Sequence, residues 1–277
     1  VFYVLRAFKT AQGSGVVLVK WIEEEKFITK ADREKIIKDT ELRESLEGVF
    51  DSVTLGYAYD LIRKGIIKRI ITNISQGKEA RVYVAEGAEG YLAVKIYFTS
   101  ASEYYKTMPI YIEGDPRFNR LKKGDRREIV ETWARKEYAN LTEAYAAGVH
   151  VPKPISVRGN ILVMQLVGGQ APAPLIKDVQ MSPLSWKRSY KQIIDDIERL
   201  VVQAGLVHGD LSEYNVLFYR RPYIIDMGQS VMTSHPRAQE FLSRDVKNLN
   251  AFFRKKGIEL KDLVKDDLIA KWLASRQ

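Results

Sequence analysis

A chain of 277 residues with 45% hydrophobic side chains has enough core-forming material for one large domain or two lobes. It has no Cys, which excludes a disulfide scaffold and a zinc-thiolate site and points to an intracellular compartment. The net charge of +9 favours polyanionic partners, although a merely soluble basic protein carries the same signature. No apolar run approaches the roughly 20 residues that cross a bilayer, so a soluble, cytoplasmic protein without a membrane partner is expected.

Residues 1–50 form a charged segment in which "TKADREKIIKD" offers a Thr cap and early acidic residues for a helix from Thr29 or Asp32 to Leu46; no chemistry is evident there. Next, Val53, Leu55, Tyr57, Ala58, Leu61, Ile62 and Ile66 recur with a helical rhythm that Gly65 stops, feeding a strand over 66–74. "IITNISQGKEARVYVAEGAEGYLAVKIYF" then reads as three short strands with Gly turns, a small antiparallel sheet. Residues 99–127 show no steady period and are expected to form a long loop. Between Arg117 and Arg127 it holds six basic residues against one acidic one, a solvated surface or an anion-facing loop.

The clearest helix spans 128–147 and is closed by Gly148. Ile129, Val130, Trp133, Leu141 and Ala144 share one side, and Glu137 falls between Trp133 and Leu141 at spacings of four. This places a carboxylate on the inward face, either paired with its neighbours Lys136 or Arg135 or serving a buried cation. Two strands follow around the Arg158-Gly159-Asn160 turn, Gly168-Gly169 ends the second, and "QAPAPL" separates this half from a mainly helical one. The class is α+β, divided as 1–50, 51–167 and 168–277.

In the second half, "LVHGDLSEYNVLFYRRPYIIDMGQSV" places polar residues beside strand-like runs. Residues 216–219 and 222–225 read as a hairpin turning at Arg220-Arg221. Pairing 216 with 225 sets Asn215 and Asp226 side by side at the open end. An amide oxygen and a carboxylate there suit a hard divalent cation such as Mg2+ shared with substrate phosphates, and Asp210 on the preceding loop faces the same point. This order matches the catalytic loop and metal-binding Asp of protein kinases. That reading also requires a phosphate-covering loop, a strand Lys and a helix Glu, and the chain supplies "SQGKEA", Lys95 in "AVKIY" and Glu137 in that order.

The motifs S-x-G-K-E-A, H-G-D-L-S-E-Y-N and I-D-M-G-Q resemble those of the RIO family of atypical protein kinases, most closely its type 1 branch, over residues 51–257. The resemblance implies a bilobal protein-kinase-like fold, a small antiparallel sheet lobe plus a mainly helical lobe, reduced by the lack of an activation loop; no A-P-E segment follows Asp226. It implies an ATP- and Mg2+-dependent (or Mn2+-dependent) Ser/Thr kinase or ATPase that acts in maturation of the small ribosomal subunit, with ATP and the pre-small-subunit particle as partners. Asp210 becomes the catalytic Asp, Asn215 and Asp226 the metal ligands, and Lys95 with Glu137 the ion pair that steadies the phosphates. Asp226 is further implied to accept phosphate as an aspartyl-phosphate. Ser75, Gln76, Gly77 and Lys78 form the phosphate loop, and the backbone of Gln165 and Val167 in "MQLVG" meets adenine. Gln76 stands where the family commonly has Thr, so that position offers no hydroxyl.

Two other readings share part of this evidence. Small-molecule phosphotransferases of the aminoglycoside and choline kinase type also use H-G-D-L-x-x-x-N followed by I-D-x-G, and lack S-x-G-K-E-A and S-E-Y-N. A ribosome-assembly scaffold that binds ATP with little catalysis is the other, and the intact set Lys95, Glu137, Asp210, Asn215 and Asp226 argues against it. The basic stretch predicts that charge reversal at Arg120, Lys122 and Lys123 weakens association with pre-ribosomal particles. Equal binding by variant and parent across a salt titration would remove that stretch from the account.

Overall fold

The computed structural model describes residues 4–9, 15–20, 51–100, 104–112, 115–118, 125–259, 263–264 and 266–275. The helix expected up to Leu46 and the basic residues Arg120, Lys122 and Lys123 lie outside them. The chain divides into two compact units, Val1–Ala101 with Ile155–Leu166, and Ser102–Pro154 with Val167–Gln277.

In the first unit, β1 (Val4–Lys9) and β2 (Gly15–Lys20) pair antiparallel. Helix α1 (Ser52–Arg63) starts where the Asp51 carboxylate accepts from the N–H groups of Val53 and Thr54, which would otherwise lack intrahelical partners. It ends at Gly65, whose φ of 71° is the left-handed conformation that closes a helix. The amides of Ile66 and Ile67 both turn back to the Leu61 carbonyl, so β3 begins at Arg69 instead of 66 and runs to Gln76. The strand expected over 66–74 is shifted because its first residues are used in closing the helix. Strands β4 (Ala80–Glu86), β5 (Tyr91–Tyr97), β6 (Pro154–Arg158) and β7 (Ile161–Gln165) complete a five-stranded sheet ordered β3-β4-β5-β7-β6.

Alternation along β5 turns Val94 and Ile96 into a core with Leu61, Ile62, Ile70, Tyr83, Ile161 and Val163, so Lys95 takes the opposite face. The turn between β6 and β7 is fixed by Asn160, which is buried. Its Nδ2 donates to the Tyr97 carbonyl at 2.7 Å, and its Oδ1 accepts from the Thr54 hydroxyl at 3.1 Å, tying helix to sheet. Gly159 beside it has φ 55°, and a Cβ there would lie 1.9 Å from the Tyr57 ring.

In the second unit, α2 (Tyr104–Ile112) occupies part of the stretch expected to be a loop. Pro109 disguises it in the sequence, since Pro inside a helix removes a hydrogen bond. Burial of Met108 and Ile112, and packing of the Tyr111 ring against Trp133 and Phe241, hold the helix in place. Helix α3 (Arg126–Ala146) is capped by the Asp125 carboxylate and followed by Gly148 at φ 75°. Helix α4 (Pro183–Val202) starts at a Ser182 cap with Pro at its first position. Strand β8 (Leu206–Val207) pairs with β11 (Val231–Met232), and β9 (Val216–Tyr219) with β10 (Arg221–Ile224). Helices α5 (Ala238–Lys255) and α6 (Asp266–Ala274) follow, with Trp186 and Tyr190 of α4 packed edge-on against Phe253 of α5. Among the described residues no helix is long and apolar enough to cross a membrane.

Gly159→Ala should lower the free energy of unfolding by at least roughly 1–3 kcal/mol, because it places a side chain at positive φ and against Tyr57. Chemical denaturation of parent and variant measures the difference, and equal midpoints would contradict the tightness of this turn.

Candidate active site

Strand β8 leads into His208-Gly209-Asp210, where His208 and Gly209 are buried and Asp210 is exposed on the second unit. Gly209 adopts φ 82°, and a Cβ on it would come within 3.0 Å of the Gln229 carbonyl, so both backbone shape and close approach demand glycine. The loop is gripped from below by Asp245 of α5, whose two carboxylate oxygens accept from Gly209 N–H and Leu211 N–H, each at 2.8 Å. Asp245 is 1% exposed, and burial pushes its carboxyl up to about 6. Arg244 donates to the Gly209 carbonyl. His208 bridges to the next segment: Asp210 N–H donates to its Nδ1 at 3.3 Å, and its Nε2 donates to the Ile225 carbonyl at 3.0 Å.

The hairpin β9–β10 sets the other two polar groups, in a register one residue from the expected one. Val216 pairs with Ile224, not 225, because the turn holds the single residue Arg220 at φ 61°. Arg221 is therefore already in the strand. Asn215 consequently faces Ile225, whose N–H donates to the Asn215 carbonyl at 2.9 Å. Asp226 still reaches the open end, since it leaves the strand with φ 65° and ψ 61°, a left-handed conformation in which a non-glycine residue is uncommon. The outer strand is anchored from α4 and its neighbourhood: Ile224 N–H donates to the His150 carbonyl, His150 Nδ1 contacts the buried Asp196 carboxylate, and Gln192 donates to the Pro222 carbonyl.

Asn215 donates through Nδ2 to the Asp210 carbonyl at 2.7 Å and lies 3.4 Å from the Asp210 carboxylate. Its amide nitrogen thus faces Asp210, which leaves the amide oxygen as an acceptor. Asp210 and Asp226 are both exposed. The loop packs around one edge of Asp210, and this partial burial, together with the nearby Asp226 carboxylate, pushes its carboxyl above the ordinary range. The Asp226 carboxylate and the Asn215 amide oxygen form a hard-oxygen donor pair that fits Mg2+ and is ill suited to a soft metal. Among the described residues no group of three or more His, Cys, Asp or Glu side chains could hold a metal ion.

Sequence reasoning missed the polar side of α3. Lys136 is completely buried, and its Nζ donates to the Gly228 carbonyl at 2.9 Å and to the Ser230 carbonyl. Asn140 donates to the Met227 and Ser230 carbonyls at 2.8 and 3.2 Å. In the sequence Lys136 figures only as a possible ion-pair neighbour of Glu137; in the structure burial pushes its amine down to about 7. Glu137 itself is 1% exposed, on the inward face as expected.

The remaining sequence-assigned residues lie in the first unit or at its edge. Ser75 and Gln76 end β3, Gly77 N–H donates to the Ala80 carbonyl, and Ser75, Gly77 and Lys78 are exposed at the β3–β4 turn. Lys95 sits in the middle of β5 between Val82 and Leu162, with Nζ 5.1 Å from the Tyr97 ring centre. Gln165 is the last residue of β7 and pairs with Leu92, while the Val167 carbonyl accepts from Ala173 N–H at 2.8 Å. The structure thus brings together Asp210, Asn215 and Asp226 in one unit, and places Ser75, Gln76, Gly77, Lys78 and Lys95 in the other. Lys95 and Glu137 belong to different units.

An antiparallel sheet carrying a mid-strand Lys, and a helical unit presenting an H-G-D loop with an Asn and a left-handed Asp, define a protein-kinase-like fold. The model of the RIO domain family matches residues 81–266. The RIO-type serine/threonine-protein kinase Rio1 of Haloferax volcanii is 41% identical over 230 residues, covering 80% of this chain and 76% of that protein. Its namesake in Methanocaldococcus jannaschii is 40% identical over 253 residues, covering 88% and 85%. Among solved structures, the Rio2 kinase of Chaetomium thermophilum in an ADP/Mg2+-phosphoaspartate complex superposes with a TM-score of 0.62 at 20% identity, covering 98% of this chain and 71% of that one. The chain belongs to the RIO family of atypical serine/threonine protein kinases and is of the Rio1 type. This membership decides between the readings that the H-G-D loop left open, in favour of a protein kinase over a small-molecule phosphotransferase.

Asp245 provides a pH signature. Its folded-state value of about 6 lies above the ordinary 3.8, so the fold holds this proton more tightly than the unfolded chain. Its contribution to stability is therefore fully present below 3.8 and is lost as pH rises through about 6. The difference in unfolding free energy between parent and Asp245→Asn should fall by up to a few kcal/mol across that window. A difference independent of pH would contradict this.

Proposed function

We propose that the chain transfers the γ-phosphoryl group of ATP, with Mg2+ or Mn2+ as the cofactor, at the point where Asp210, Asn215 and Asp226 converge. The observation that carries this reading is the approach of the Asn215 amide and the Asp210 acid beside an Asp226 held in a left-handed turn. The divalent cation, when bound, would neutralise phosphate charge between the Asn215 amide oxygen and the Asp226 carboxylate. Asp210, with its carboxyl raised, accepts the proton of an attacking hydroxyl at its carboxylate oxygen as the bond from phosphorus to that hydroxyl oxygen forms and the bond to the leaving ADP oxygen breaks. Lys95 meets the α- and β-phosphates, Ser75, Gln76, Gly77 and Lys78 cover the phosphates, and the backbones of Gln165 and Val167 meet adenine. For Val167 this falls to its N–H, since Ala173 already donates to its carbonyl.

A second acceptor lies in the site itself. An Asp226 carboxylate oxygen attacks the γ-phosphorus, ADP leaves, and water later releases phosphate, with its proton passing to Asp210. The phosphoaspartate of the Chaetomium relative supports this route, which makes the protein an ATPase as well as a kinase. We assign the setting to maturation of the small ribosomal subunit, on the family resemblance and on a charge of +9 suited to rRNA phosphates.

Purified protein should hydrolyse ATP slowly with Mg2+, and Asp210→Ala should reduce turnover by roughly a hundredfold or more; undiminished turnover would remove Asp210 from catalysis. With labelled ATP, a hydroxylamine-labile label on the protein would mark the Asp226 route. An acid-stable label on Ser or Thr, increased by small-subunit precursor, would mark a substrate kinase.

A further inference from the structure

The turn after Asp226 is bonded through its carbonyls to polar groups of one helix. Along α3, Trp133, Lys136 and Asn140 follow one another at helical spacing, and all three are buried. Lys136 donates to the carbonyls of Gly228 and Ser230, and Asn140 to those of Met227 and Ser230. Trp133 closes the third side: a Cβ on Gly228 would stand 2.8 Å from its Nε1, so the turn lies directly on the indole. Asn140 is in turn oriented from behind, its Oδ1 accepting from Arg117 at 2.8 Å, while Arg117 pairs bidentately with the buried Asp115.

A fully buried amine is costly, and core packing alone would be served better by Leu or Met at position 136. What Lys136 supplies beyond packing is donors aimed at two carbonyls that face no strand partner. The residue before Asp226 is fixed as well, since Ile225 donates to Asn215 and accepts from His208. Asp226 is thus clamped on both sides while its own backbone sits in an uncommon conformation. Such a conformation persists only where the surroundings over-determine it, and here α3 does so on one side of Asp226 while Asn215 and His208 do so on the other.

We propose that Lys136 and Asn140 are positioning residues for Asp226, holding the turn Met227–Gln229 by its carbonyls so that the Asp226 carboxylate is presented to the same cation as Asn215. The inference rests on the metal-ligand reading of the preceding section. It also makes α3 a single part with two tasks, since Glu137 is the immediate neighbour of Lys136: the helix that presents the Glu also sets the Asp.

The test is Mn2+ binding in the presence of ADP, read by electron paramagnetic resonance of the unbound ion, on parent, Lys136→Met, Asn140→Leu and Asp226→Asn, each first checked for a cooperative melt. Lys136→Met and Asn140→Leu should raise the half-saturating Mn2+ concentration by roughly 10–100-fold while leaving metal-free ADP affinity unchanged. Excess Mg2+ should restore most of their turnover, which a merely loosened fold would not do. Parent-like Mn2+ binding by a folded Lys136→Met would overturn the proposal. Should that variant not fold, Gly228→Ala reports instead: it keeps both donors but wedges the turn off Trp133, and it should weaken Mn2+ binding similarly, with unchanged binding again overturning the inference. Parent-like Mn2+ binding by Asp226→Asn would instead refute the metal-ligand reading itself, whatever Lys136 does.

Discussion

The two hydrogen bonds from Gly209 and Leu211 to the carboxylate of Asp245 are the constraint on which the second unit's surface depends. They fix a loop that has no strand partner of its own, and they do so from a helix whose apolar residues Phe241, Leu242, Val246 and Leu249 are anchored in the core. With the loop fixed, His208 reaches the Ile225 carbonyl, the hairpin is tied to the loop, and the Asp210 carboxylate is left at the surface beside Asn215. A carboxylate so thoroughly buried would be destabilising without donors; two backbone N–H groups that would otherwise be orphaned make the arrangement self-consistent.

The electrostatic pattern separates structural from chemical acids. Asp115 and Asp245 both bind neighbouring groups in the interior, yet differ in direction. Burial would raise the Asp115 carboxyl, but the Arg117 guanidinium outweighs it and holds the group below the usual range, whereas burial raises Asp245 despite its two N–H donors. Asp210 is raised as well while remaining open to solvent, and a raised carboxyl on an open edge is the combination expected of a proton acceptor. The family match and the local geometry bear on different questions: the former identifies the kind of enzyme, and the latter separates an exposed acid with a raised carboxyl, Asp210, from acids engaged in the interior.

Much of this was legible in the sequence. Alternation around Lys95, the helical spacing of Glu137, and the strand-turn-strand pattern beyond Asn215 each correspond to an observed element. The hairpin register slipped by one because a single left-handed Arg220 makes the turn, and no glycine marks it. Helix α2 was hidden by Pro109, its stability coming from Tyr111 and Met108 packing on residues distant in sequence. Lys136, Asn140 and Asp245 were missed because side chains that bond to backbone carbonyls or amides have no complementary residue to look for. The available signal was a polar residue on an apolar stripe, as with Asp245 between Leu242 and Val246 and Lys136 between Trp133 and Leu141.

The single-residue turn at Arg220 has a kinetic side. Strands of four residues joined through one residue bring Asn215 and Asp226 close with very little chain to close, and Asp210 lies just upstream in the same stretch. Loop-closure entropy is small for such a segment, and contacts of short sequence separation are the ones a chain makes early. The backbone pairing of the hairpin is therefore a local matter, closed by very little chain. The acids at its open end are not: the turn after Asp226 is held from α3 and the Asp210 loop from α5, so their geometry depends on helices far away in sequence.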